Sequence, residues 1–182
     1  DSITFIPSLS QEKEENIDAV RFPRGFKLMM KFSEKFYPDV VSCGLTDGEK
    51  AYYDMAFQKE AQDNVLGLLV TGQTAEEYYE LGSNDQILSS VLEELDTIFD
   101  GKASATYMDH YLLENWGQHE FTMGTWTNAA LDRDFDLDIL NQPLQDKVYF
   151  AGEIHDVDKQ LGVPGAILSG FNAIEYMMIN AY

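Results

Sequence analysis

One stretch restricts this chain more than any other: VYFAGEIHDVDKQLGVPGAILSGFNAIEYM, residues 148–177. It opens as a short apolar strand over Val148–Ala151 and breaks at Gly152-Glu153. A polar loop follows, and a helix restarts at Gly162-Val163-Pro164-Gly165. Pro at the first helical position suits a helix end whose leading amides have no partner within the helix. Those amides and the helix dipole favour an electron-rich group in front of them. Gly162 and Gly165 allow close approach to the backbone, and Ala166, Gly170 and Ala173 keep one side of the helix low. Glu153 follows the end of a strand, where open α/β sheets bind ligands. An ordinary helix packed on a sheet, with Glu153 in water, satisfies the same spacing.

The remaining sequence predicts a different architecture. FKLMMKF, residues 26–32, alternates, with Phe26, Leu28, Met30 and Phe32 on one face and Lys27, Met29 and Lys31 on the other. AYYDMAFQ and NVLGLLVTG read as two strands of a meander, and Asp47-Gly48 as a turn. Ile3–Ile6 reads as a short strand, and Ser8 with Gln11 as a capping box for a first helix. Thr74 and Ser83 read as caps of two helices, the second with apolar positions 88, 91, 92, 95, 98 and 99 on one stripe. Residues 104–115 read as a strand and DRDFDLDILNQPLQD as a polar linker. The fold class is therefore mixed α/β (α+β): an antiparallel meander with packed helices, then a terminal β-loop-α unit. The domain boundary is placed at 145/146. The final strand lacks an obvious parallel partner elsewhere in the chain.

Charge and cysteine content narrow the function. A formal charge of -20 repels phosphate backbones and anionic lipid, so nucleic acid and membrane surfaces are unfavourable partners. With one cysteine, Cys43, there is no internal disulfide and no cysteine-based zinc site, and the three histidines lack metal-ligand spacing, so no metal is expected. No apolar run reaches transmembrane length. The chain is read as soluble; its compartment is left open, with the cytoplasm ahead.

The terminal segment resembles the C-terminal flavin-binding motif of the flavin-containing amine oxidases, the family of monoamine and polyamine oxidases. Phe150-Ala151-Gly152-Glu153, then Gly162-x-x-Gly165-Ala166-x-x-Ser169-Gly170-x-x-Ala173, carries the match. Two further elements fall in order: Trp116, a spacer, and Gly124-Thr125-Trp126; and Gly25–Phe32 followed by Phe36-Tyr37. The resemblance implies FAD as cofactor. Glu153 would accept from its ribityl or diphosphate region, Gly152 would permit the approach, and Val163, Gly165, Ala166 and Ile167 would face the ring and ribityl chain. It implies Lys27 as the flavin-facing lysine, with Lys31 as the alternative under a shifted register. Trp126 would wall the substrate pocket, where core packing is the competing reading; Gly162 stands where several relatives place a second aromatic. Trp116 is read as core. His110, His119 and His155 are read as surface or satisfied polar residues.

No Gly-x-Gly-x-x-Gly precedes Asp1. The expectation is therefore a C-terminal portion: a substrate-binding part over 1–145 and a final FAD-binding unit over 146–182. The absent N-terminal half would be its partner and a small-molecule amine its substrate. The portion alone is expected to be inactive. A desaturase or protoporphyrinogen-oxidase-like flavoprotein, or a non-catalytic ligand- or partner-binding domain, remain the alternatives.

Overall fold

A computed structural model describes residues 3–41, 50–60, 63–127, 134–156 and 162–180. Cys43 and the Asp47-Gly48 turn lie outside the described residues. By internal packing the chain divides into two compact units, 23–125 and the pair of segments 1–22 with 126–182. The 145/146 boundary was drawn on chemistry; packing groups the first 22 residues with the C-terminal segment.

The unit over 23–125 is built on β1 (Gly25–Phe32), β2 (Val40–Val41), β3 (Lys50–Asp54), β4 (Asn64–Thr71) and β5 (Tyr107–Asn115). They form one antiparallel sheet in the order β2-β3-β4-β1-β5. The alternation in β1 decides which face is buried. Phe26, Leu28, Met30 and Phe32 lie opposite Val70, Leu68, Leu66 and Asn64, and the apolar members of these rows are buried. Against that face pack α2 (Gly72–Tyr79), α3 (Asn84–Ile98) and α4 (Lys102–Thr106), through Ala75, Ile87, Leu88, Val91, Leu95 and Ala103. A period of two on the strand meets a period of 3.6 on the helix, and the shared interior is the core. On the opposite face lie Lys27, Met29 and Lys31 of β1 with Leu69, Gly67 and Val65 of β4. A Cβ at Gly67 would stand 2.9 Å from both Tyr53 Cζ and Met55 Cγ, so any larger residue there must displace those side chains. The ends of this unit are clasped: Thr125 donates to the Pro23 carbonyl through both its amide and its hydroxyl, each at 2.9 Å.

The other unit holds α1 (Gln11–Ala19), α5 (Leu137–Asn141), a short 3-10 turn at Glu153–Asp156, and α6 (Val163–Asn180). Phe135 and Leu140 form its small buried cluster, with Ala19, Val20 and Ile154 against it.

Several local expectations are corrected. The α1 cap is Ser10, which accepts from Lys13 N at 3.2 Å, because Ser8 and Leu9 still run in the preceding coil. Ile3–Ile6 is not a strand, and Val148–Ala151 forms only an isolated bridge, Leu144 with Val148. A strand exists only with a partner ladder, and these segments have none among the described residues. α2 starts at Gly72 with no side-chain cap, two residues before the predicted cap Thr74. The first residues of 104–115 close α4 before β5 begins. On α3, Ile87 is buried and Ile98 is exposed, a small rotation of the expected stripe. α5 sits inside the segment read as a linker, and Trp116 is partly exposed rather than core.

Candidate functional site

The Phe150–Glu153 turn is held to α6 by one buried hydroxyl. Ser169 accepts from the Gly152 amide at 2.9 Å and lies within donating distance of the Gly152 carbonyl (2.9 Å) and the Ala166 carbonyl (2.8 Å). At 3% exposure it is one of the few buried polar side chains of the unit. It satisfies backbone groups of Gly152 that no ladder serves. The first helical bond of α6 runs from the Ala166 amide to the Gly162 carbonyl at 3.0 Å. Ala166's own amide is thus engaged within the helix, contrary to a role toward a ligand. Pro164 has no amide, and Val163 and Gly165 precede that bond, at the open end of the helix.

The surroundings of the glycines bear on what could lie here. A Cβ at Gly152 would meet only His155 Cδ2, at 3.8 Å, and Cβ atoms at Gly162 and Gly170 would meet nothing within 4 Å. The protein's own packing therefore does not demand small residues at these positions. Gly162 is in the left-handed region at φ +74, where an L side chain is strained. An aromatic at that position would need a different backbone. Val163 and Ile167 are exposed, Gly165 is buried and Ala166 is half-buried.

Glu153 opens the 3-10 turn, and its Oε1 accepts from the Thr127 amide at 2.5 Å. The carboxylate thereby fastens the Trp126-Thr127 segment to the turn. Trp126 is half-exposed, so the core reading of its ring does not hold. His155 stacks on Phe150 at 6.4 Å, and its Nδ1 faces Asn141 Oδ1 at 2.6 Å. Burial, and then the nearby Lys13 ammonium, push its pKa below the ordinary imidazole value. A small cavity of about 150 Å³ lies beside these groups, lined by Tyr149, Phe150, His155, Ser169, Asn172 and Tyr176, among others.

Lys27 belongs to the other unit. It points from the sheet face opposite the core, between Leu69 on β4 and Glu114 on β5. Lys31 shares that face and pairs with Asp63 at 2.8 Å. The two lysines differ in environment: Lys31 is ion-paired and Lys27 lies between Leu69 and Glu114. Tyr52 is buried in the core and Asp54 is tied to Lys35 at 2.7 Å.

Ser169 and Thr127 carry weight that sequence reasoning did not assign. Ser169 stood inside the matched motif, and its spacing from Ala166 on one helical face was the available signal. Thr127 acts through its backbone and left no signal. Among the described residues, no cluster of His, Cys, Asp or Glu is arranged to hold a metal, and no helix is long and apolar enough to cross a membrane.

Comparison with known proteins identifies the family. A family model described as flavin containing amine oxidoreductase matches residues 2–178. Polyamine oxidase 3 of Oryza sativa subsp. japonica is 29% identical over 177 residues, covering 96% of this chain and 36% of the relative. Lysine-specific histone demethylase 1 homolog 1 of the same plant is 28% identical, covering 93% of this chain and 21% of the relative. Among solved structures, cyclohexylamine oxidase from Brevibacterium oxydans superposes with a TM-score of 0.70 at 17% identity, covering 95% of this chain and 39% of that one. A putrescine oxidase redesigned in its cofactor binding gives 0.72 at 18% identity, covering 98% and 40%. These structural likenesses speak to the fold. The chain spans about a third of the length of the polyamine oxidase it matches.

Proposed function

The chain belongs to the flavin-containing amine oxidoreductases, and from that premise we propose that it is the C-terminal part of an FAD-dependent enzyme that oxidises an amine to an imine. The observation that carries the proposal is the pinned turn: Gly152 clamped to α6 by Ser169, with room left at Gly152, Gly162 and Gly170. The ground in front of these glycines is open, and a flat cofactor body with hydroxyls at one end would lie there. FAD, when bound, supplies the two-electron acceptor and the reaction with dioxygen that yields hydrogen peroxide.

The chain's own residues do the rest. Glu153 would accept from a ribityl hydroxyl through the oxygen not given to Thr127. Gly152, Val163, Gly165, Ala166 and Ile167 would line the cradle, Ala166 by its surface rather than its amide. Lys27 would hold a water and place a positive charge where negative charge develops. Trp126 would wall the pocket, its face suited to an amine's carbon chain and tolerant of a cation. The amine must react unprotonated, so exclusion of water favours the reactive form. Substrate contacts are assigned to residues before 146 and cofactor contacts mainly to 146–182. The dinucleotide-binding half would come from the longer protein.

The test uses the full-length protein. Purified enzyme should show bound oxidised flavin that bleaches anaerobically with an amine and recolours with air, releasing peroxide. Polyamines, putrescine and cyclohexylamine form the first panel, by likeness to the named relatives. A flavin-free protein, or a flavin that no amine reduces, would sink the proposal.

A further inference from the structure

Lys13 lies in the acidic run Gln11-Glu12-Lys13-Glu14-Glu15, where a lysine is expected in water, yet it is only 5% exposed. Its Nζ donates to the carbonyls of Ile139 (3.2 Å), Leu140 (2.7 Å) and Gln142 (2.6 Å). These close the C-terminal end of α5, whose last acceptors lack helical partners and favour a cation. All three ammonium hydrogens are engaged, which fixes the group in place. The same Nζ stands 3.8 Å from the centre of the Phe150 ring. Phe150 opens the Phe-Ala-Gly-Glu turn and also packs on Phe5 (5.9 Å) and His155 (6.4 Å). His155 reaches back to α5 through Asn141, and its amide donates to the Gly152 carbonyl at 3.1 Å. One buried cation therefore joins the end of α5 to the ring at the root of the turn. A buried ammonium is costly to desolvate, and a well-packed apolar side chain would fill the same volume without that cost. Simple packing therefore does not account for it.

We propose that Lys13 is a positioning residue for cofactor binding: by holding Phe150 against the α5 terminus, its ammonium sets the orientation of Gly152 and Glu153. The inference rests on the flavin reading above. The experiment titrates FAD into apoprotein of the full-length enzyme, well below its melting temperature, for the parent, Lys13→Met and Lys13→Arg. Met keeps the apolar stem and loses the donors; Arg keeps donors and stacks on a ring. Lys13→Met, folded by circular dichroism, should bind FAD about tenfold more weakly, about 1.4 kcal/mol. Lys13→Arg should recover most of that loss. A folded Met variant with parental affinity, or a folded Arg variant no better than Met, overturns the inference. Should Lys13→Met fail to fold, Phe150→Leu gives the same readout: about threefold weaker binding supports the inference and unchanged binding overturns it. A parent that takes up no FAD overturns the flavin reading itself, so the two failures are told apart.

Discussion

Replacing Ser169 by alanine isolates the clamp on which the candidate site depends. The hydroxyl accepts one bond, from the Gly152 amide at 2.9 Å, and donates to one of two carbonyls at 2.8–2.9 Å. Its removal strands the Gly152 N–H, a loss of about 1–3 kcal/mol when a donor is left unpaired. Both bonds are only partly buried, so water recovers some of this, and about 1–2 kcal/mol is the expected cost. A Trp116→Phe background leaves Trp126 as the fluorophore, which reports on the unit that contains Ser169. Urea titration should then give an unfolding free energy lower by that amount at unchanged slope. Hydrogen exchange supplies the residue-level check, since the Gly152 amide should lose protection before its neighbours do. A Ser169→Ala protein with parental stability and a Gly152 amide still protected would refute the claim that this hydroxyl fixes the turn.

Three further outcomes are expected. Leu28→Ala, fully buried between the buried Leu68 and the partly buried Leu113, should cost about 3–5 kcal/mol by urea unfolding. His155 has its folded pKa held below 6.5, so as pH falls through that value the unfolded chain binds the proton first. Its contribution is therefore present above pH 6.5 and fades below it, and His155→Asn should flatten that limb of the stability profile. In the full-length enzyme, Lys27→Met should slow reoxidation of reduced flavin by about 100-fold in stopped flow, while Lys31→Met, whose parent lysine is paired to Asp63, stays within about twofold.

What could be read in advance was whatever repeats. The alternation over 26–32 and the Ser83 cap survive because each residue reinforces the same periodic preference, and the structure keeps both. The terminal motif was legible because its glycines, Ser169 and Glu153 sit at fixed offsets. α5 was hidden because Leu137–Asn141 is too short for a period to emerge. Val148–Ala151 has the composition to pair, but pairing needs a neighbour, and among the described residues only the Leu144–Val148 bridge supplies one. Lys13 gave no sign, since its burial is decided by carbonyls more than a hundred positions away. The same holds for the Glu153–Thr127 bond, which uses a backbone amide that every residue but proline offers.

The clasp of Thr125 on Pro23 has a practical corollary. Entry and exit of the sheet unit meet at a single carbonyl, so a gene encoding 23–125 alone starts and stops where its chain ends are already tied together. Excised in that way, the piece sacrifices no strand pairing among the described residues, and its ends need no further loop to close them. It offers a tractable route to crystals or spectra of the Lys27 face, free of the rest of the polypeptide, and its two joined ends are natural places to open a circular permutant.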